Sequence, residues 1–269
     1  MFQSLRLVFT LSALFAFSLE AHAASTLVSI KTERGTTQSF ILIKPEKPVA
    51  SVILLPGGHG ALGLKTTSSM QWGDTNFVVR TRHKFAAHNL MVAVVDAPSD
   101  HKDGMRAIFR MSKHHADDIG AVAAYLKAQA PVPVWLVGTS MGTFSAAGGA
   151  IAAKGIDGLV LTSTVTRAKP EWKIAKSHPD GVASMRLPDI TVPTLIVSHR
   201  KDGCGLTPAA DAQKLRNRLT KASKVVIVLL DGGAPPRSAP CLAMSQHGFL
   251  GIEDKAVSTI AQFVKAGGT

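Results

Sequence analysis

A serine stands between two glycines in Gly138-Thr139-Ser140-Met141-Gly142, directly after the apolar run Val134–Val137 and before the small-residue stretch Ser145–Ala150. A strand that turns sharply into a helix leaves no room for side chains beside the turn. Glycines therefore flank it, and the serine hydroxyl is lifted above the strand end at a helix N-terminus. A hydroxyl placed there suits attack on an acyl carbon, but serine is a weak nucleophile without a base and an acid that orients the base. In chain order an acid and a base follow. Asp202 closes the apolar run that starts at Thr194, and His247 lies in the Gly/Pro-rich stretch beyond Lys224–Leu230. Asp231, which ends that last run, competes with Asp202 for the acid role. Pro56-Gly57-Gly58-His59-Gly60 follows another apolar run, Ser51–Leu55. Glycines there let backbone N–H groups face a developing oxyanion unobstructed. A phosphate-cradling loop would need a Lys-Ser/Thr pair, which this one lacks.

These residues need elements to hold them. Thr26–Lys31 and Gln38–Ile43 alternate apolar and polar side chains around Glu33-Arg34-Gly35-Thr36, a hairpin pattern. Ser51–Leu55, Met91–Val95, Val132–Val137, Leu159–Leu161, Thr194–Val197 and Lys224–Leu230 are short runs rich in β-branched residues, as expected of strands buried on both faces. Helical patterns fall between them, at about 74–88, 114–129, 141–153, 208–220 and 252–266. Alternating strand and helix predicts an α/β chain wound about a mostly parallel sheet. The stretch 163–190 fits neither element and reads as a small cap or loop. No internal repeat or linker divides the chain, so one domain is expected over 24–269.

With the elements in place, the chain resembles the α/β-hydrolase superfamily over nearly all of residues 24–269. The resemblance implies the α/β-hydrolase fold, with an N-terminal antiparallel hairpin, helices on both faces and little or no cap. It implies Ser140 as nucleophile, Asp202 as the acid after the penultimate strand and His247 as the base after the last. The oxyanion donors would be the N–H of Met141 and one from the 56–60 loop, Gly58 or His59, with Gly58 preferred; His59 is alternatively a substrate contact. The acid and histidine loops are neighbours in such a fold. Cys204 lies two residues after Asp202 and Cys241 six before His247, so a disulfide between them is expected to join the two loops.

Other features bound the function. Residues 1–23 have the build of a cleaved export signal: a basic start, a 13-residue apolar run, and small residues before a cut after Ala23. That run is shorter than the roughly 20 residues needed to span a bilayer, so no stable membrane insertion is expected. The 269 residues carry 30 Lys and Arg against 18 Asp and Glu, a net charge of +12. The basic residues are scattered and have few aromatic neighbours, which argues against nucleic acid as a partner. His83, His88, His114, His115 and His178 read as surface or helix-face residues. His114, His115, Asp117 and Asp118 read as a helix start and not as a metal site. Arg167, Lys169, Lys173, Lys176 and Arg186 read as a solvated face of the 163–190 stretch. The expectation is an exported serine hydrolase that opens a carboxylic ester of a small-molecule acyl substrate without metal or organic cofactor. A peptidase or amidase on the same scaffold, and a non-catalytic binding module, are the alternatives.

Overall fold

The strand-like runs pair side by side into one eight-stranded sheet with the order β1-β2-β4-β3-β5-β6-β7-β8. The structure, a computed structural model, describes residues 23–268, so the export signal lies outside the described residues apart from Ala23. β1 (Ser25–Lys31) and β2 (Thr37–Ile43) form an antiparallel hairpin, in the register Val28 opposite Phe40. β2 in turn runs antiparallel to β4 (Leu90–Val95). From β4 onward every pairing is parallel, through β3 (Ala50–Leu55), β5 (Val134–Thr139), β6 (Gly158–Thr162), β7 (Thr194–His199) and β8 (Val225–Leu230).

β3 to β7 are buried along their whole length, which explains why they lack polar alternation. Successive side chains still serve opposite faces. Ile53 and Leu55 join one core, with Ile119 and Leu126 of α4 (Lys113–Gln129) and Phe144 of α5 (Gly142–Ala152). Val52 and Leu54 join the other, with Phe77 of α1 (Phe77–Arg80), Phe85 of α2 (Arg82–Ala87) and Ile260 of α7 (Glu253–Lys265). α3 (Ala107–Arg110) and α6 (Ala212–Arg218) complete the helices.

Two expected helices differ from those observed. The pattern over 74–88 is two short helices that meet at Thr81, whose hydroxyl donates to the Phe77 carbonyl and competes with the helical ladder. The pattern over 208–220 becomes α-helical only at Ala212; Pro208 and a 3-10 turn over Ala209–Asp211 precede it. The 163–190 stretch forms two short 3-10 turns and no α-helix, yet Val165, Ile174, Val182, Leu187 and Ile190 are buried and fill the first core. Among the described residues no helix is long and apolar enough to cross a membrane.

Candidate active site

The turn from β5 into α5 carries Ser140 in left-handed backbone, φ 52°, a costly conformation for a residue with a side chain. The flanking glycines explain how the turn fits. A Cβ on Gly142 would stand 2.1 Å from the Leu55 carbonyl oxygen, and one on Gly138 would stand 2.5 Å from that of Gly142. The strain is held by hydrogen bonds: the Ser140 N–H donates to the Thr162 carbonyl at 3.0 Å, and the Thr143 hydroxyl donates to the Ser140 carbonyl.

His247 and Asp202 meet across the loops that follow β8 and β7. His247 Nδ1 lies 3.0 Å from Asp202 Oδ2, and both side chains are almost fully buried. The carboxylate has two further donors, the Cys204 N–H to Oδ1 and the Thr207 hydroxyl to Oδ2, each at 2.9 Å. Thr207 Oγ1 is also 3.1 Å from His247 Nδ1. The histidine backbone is fixed separately: its carbonyl accepts from the Ser163 hydroxyl at 2.8 Å, and its N–H donates to Ser245 Oγ. Cys204 and Cys241 form the expected disulfide between these two loops. Asp231 is exposed and accepts the N–H of Gly232, whereas the carboxylate that meets His247 is that of Asp202.

Ser140 and His247 line one cavity of about 310 Å³, together with Gly58, Trp72, Asn76, Phe77, Leu242 and Met244. A second cavity of about 450 Å³ shares Gly58 with the first and is lined by Met141, His59, Met105, Arg106, Ile108 and Lys173. Of the two candidate oxyanion donors, Gly58 lines both cavities and Met141 lines the second, next in sequence to Ser140 of the first. Gly58 has φ +56°, and a Cβ there would run into the Trp72 ring. His59 packs on Trp72 and accepts the Ala61 N–H at Nδ1. Burial, helped by the Arg110 charge, holds the His59 pKa below the ordinary histidine value.

Behind this loop lies a polar cluster that the sequence reading missed. Arg110 is 1% exposed. Its guanidinium donates to the carbonyls of Pro56 (3.3 Å), Gly58 (3.2 Å) and Met105 (3.2 Å) and to Ser145 Oγ (2.9 Å). No carboxylate pairs with it among the described residues, and burial pushes its pKa down to about 9. His115 is a correction to the surface reading: it is fully buried, with Nε2 3.0 Å from Ser145 Oγ. Burial, then Arg110, lowers its pKa to about 3. Asp118 is also buried and pairs at 2.7 Å with Arg34 from the β1–β2 hairpin. A second buried acid, Asp96, accepts the N–H groups of Leu62, Gly63 and Leu64 and so orders the chain beyond the glycine loop. Hydrophobic periodicity registers none of these, because most of the contacts join residues far apart in sequence.

No protein-family model matches the sequence, and no curated protein does. Solved structures do. The chain is similar to the Pyrococcus furiosus esterase Pf2001, with 17% identity, a TM-score of 0.61 and coverage of 96% of this chain and 99% of that one. It is similar to a cold-adapted esterase from an Arctic intertidal metagenomic library, at 15% identity, TM-score 0.56 and coverage of 94% and 99%. TT1662 from Thermus thermophilus aligns at 13% identity and TM-score 0.60, over 91% of this chain and 98% of that one. The class is thereby defined: this chain has the α/β-hydrolase fold.

Proposed function

We propose that the protein is a serine hydrolase that cleaves carboxylic esters through an acyl-enzyme. The observation that carries this reading is the meeting of a strained Ser140 with His247 in one cavity, the histidine being tied through Nδ1 to the buried Asp202. Ser140 Oγ attacks the substrate carbonyl carbon while its proton passes to His247 Nε2. The oxyanion that forms is received by the N–H groups of Met141 and Gly58. Collapse of this intermediate breaks the bond to the leaving oxygen, which takes the proton from His247. Water then repeats the sequence on the acyl-enzyme and releases the acid. Asp202 holds the imidazole in the tautomer with Nδ1 protonated and stabilises the imidazolium.

The same reading orders the substrate. A leaving group protonated by His247 departs on the side of the first cavity, so the acyl limb takes the second, beyond Gly58 and Met141. The esterase neighbours support ester over amide. The disulfide supports maturation in an oxidising compartment after loss of residues 1–23. A fluorophosphonate probe is expected to label the wild type and not Ser140→Ala, and p-nitrophenyl esters to be hydrolysed with the same dependence. A folded wild type that takes no label would refute the reading. Hydrolysis of an anilide faster than its matching ester would replace esterase with amidase.

A further inference from the structure

Asn76 occupies the residue just before α1, the position at which an asparagine ordinarily accepts a hydrogen bond from an N–H of the first turn. Here its side chain makes no such bond. Its Oδ1 is buried without a partner, and the residue is 9% exposed. The side-chain amide forms no hydrogen bond with any described residue. Buried polar groups are nearly always satisfied, and the exceptions in native folds call for a reason; Oδ1 can only accept, so the group this side chain has free to act is its amide N–H. The placement supplies the reason. Asn76 lines the cavity that holds Ser140 and His247. A Cβ built on Gly57 would lie 3.4 Å from Asn76 Nδ2 and 2.9 Å from Ser140 Cβ. The absent side chain of Gly57 thus leaves a gap between the amide and the serine, beside the glycine loop that offers its own N–H groups.

We propose that Asn76 is a catalytic residue whose amide N–H donates to the substrate's carbonyl oxygen as it becomes an oxyanion, a third donor beside the backbone N–H groups of Met141 and Gly58. The substrate class is one with a carbonyl oxygen open to a side-chain donor, as in a carboxylic ester. No bond forms or breaks at Asn76; the oxyanion's negative charge grows against its donor. The unused cap is the physical sign of this role, because a side chain folded back onto α1 would be withdrawn from the cavity.

This inference rests on the ester hydrolase reading, and three variants separate the two. Asn76→Ser introduces a short hydroxyl able to cap α1, so it secures the helix start and loses the reach into the cavity. Asn76→Ala removes the amide without adding a cap, and Asn76→Asp replaces the donor with a charge that repels an oxyanion. With p-nitrophenyl acetate, Asn76→Ser and Asn76→Ala are expected to lose roughly 10²–10³-fold in kcat, the loss typical of one oxyanion donor. KM should stay within about threefold, as for an interaction made only in the transition state. Asn76→Asp should fall further. Affinity for a trifluoromethyl ketone, which forms a stable oxyanion on serine, should fall in proportion to kcat. The melting temperature of Asn76→Ser should match or exceed wild type. A folded Asn76→Ser with wild-type kcat and wild-type ketone affinity overturns the proposal while leaving the ester hydrolase standing. Failure of Ser140 to take a fluorophosphonate in the wild type removes the hydrolase and this role with it.

Discussion

Replacing Arg110 with methionine tests whether a buried cation, with no counter-ion among the described residues, is what holds the glycine loop proposed to receive the oxyanion. The guanidinium makes four hydrogen bonds, three of them to carbonyls of Pro56, Gly58 and Met105. At about 1.5–3 kcal/mol for each bond to a charged group, their sum is roughly 6–12 kcal/mol. Against this stands the burial of the charge. The fall from 12.5 to about 9 corresponds to about 5 kcal/mol at 1.36 kcal/mol per unit. The balance, about 1–7 kcal/mol, predicts that Arg110→Met destabilises the fold by about 4 kcal/mol, or about 8–16 °C in a protein of this size. Two of the released carbonyls belong to the loop carrying Gly58, so the donor should drift; a displacement near 1 Å costs about 10²-fold in rate. Thermal unfolding followed by circular dichroism, with p-nitrophenyl ester turnover on the same samples, measures both. Arg110→Lys keeps the charge but lacks the planar fork that reaches several carbonyls at once, so it should fall between wild type and Arg110→Met. An Arg110→Met protein that melts within 2 °C of wild type and keeps kcat within about threefold would refute the reasoning, since burial and hydrogen bonding would then cancel.

Three further expectations follow from the same contacts. His115 titrates near 3 in the fold and near 6.5 unfolded, so the unfolded chain binds a proton that the folded one does not. Stability should therefore fall as pH drops from about 6.5 towards 3, by about 2 kcal/mol at pH 5 from this residue; His115→Gln, if as stable as wild type at pH 8, should show a shallower decline in urea melts. Reducing the Cys204–Cys241 bond frees a loop of separation 37, which chain entropy values at about 4 kcal/mol; mass-verified reduced protein should melt earlier and lose kcat, and an unchanged melting curve would contradict the loop-joining role. Ile108→Trp narrows the second cavity, so kcat/KM for long acyl esters should fall relative to acetate, while a longer leaving alcohol should be unaffected.

Much of the fold is legible because its determinants are local. β3 to β7 are short apolar runs bounded by turn residues, and Gly35, at φ +78°, closes the hairpin where the alternation of β1 and β2 reverses. The elbow is equally local: two glycines, a serine and a small-residue helix. Local pattern fails where a side chain's partner is distant. Arg110 and His115 look like ordinary polar residues until the fold brings them against Ser145, 35 and 30 residues on. Thr207 sits in plain view beside Asp202 in sequence, yet its place between the acid and His247 depends on the arrival of a second loop. The break at Thr81 was in principle readable, since a threonine hydroxyl able to bond the carbonyl four residues back is a known competitor of the helix. Asn76 reads as a helix cap, and only the absence of the capping bond marks it as something else.

The last strand has a consequence for how copies of the molecule meet in solution. Among the described residues β8 pairs only with β7, so its outer row of backbone donors and acceptors is open, and its first five residues are apolar and half-buried. Such an edge is a template for a strand from another copy, and natural proteins blunt it with charge. β8 has no charge of its own; Lys224 and Asp231 stand at its two ends. The net charge of +12 on the whole chain supplies the restraint instead, as a long-range repulsion between molecules. Salt shortens that repulsion, to about 3 Å at 1 M. Concentrated salt thus takes away the barrier that keeps two such edges from finding each other, and the colloidal behaviour of this protein becomes a property of its medium as much as of its fold.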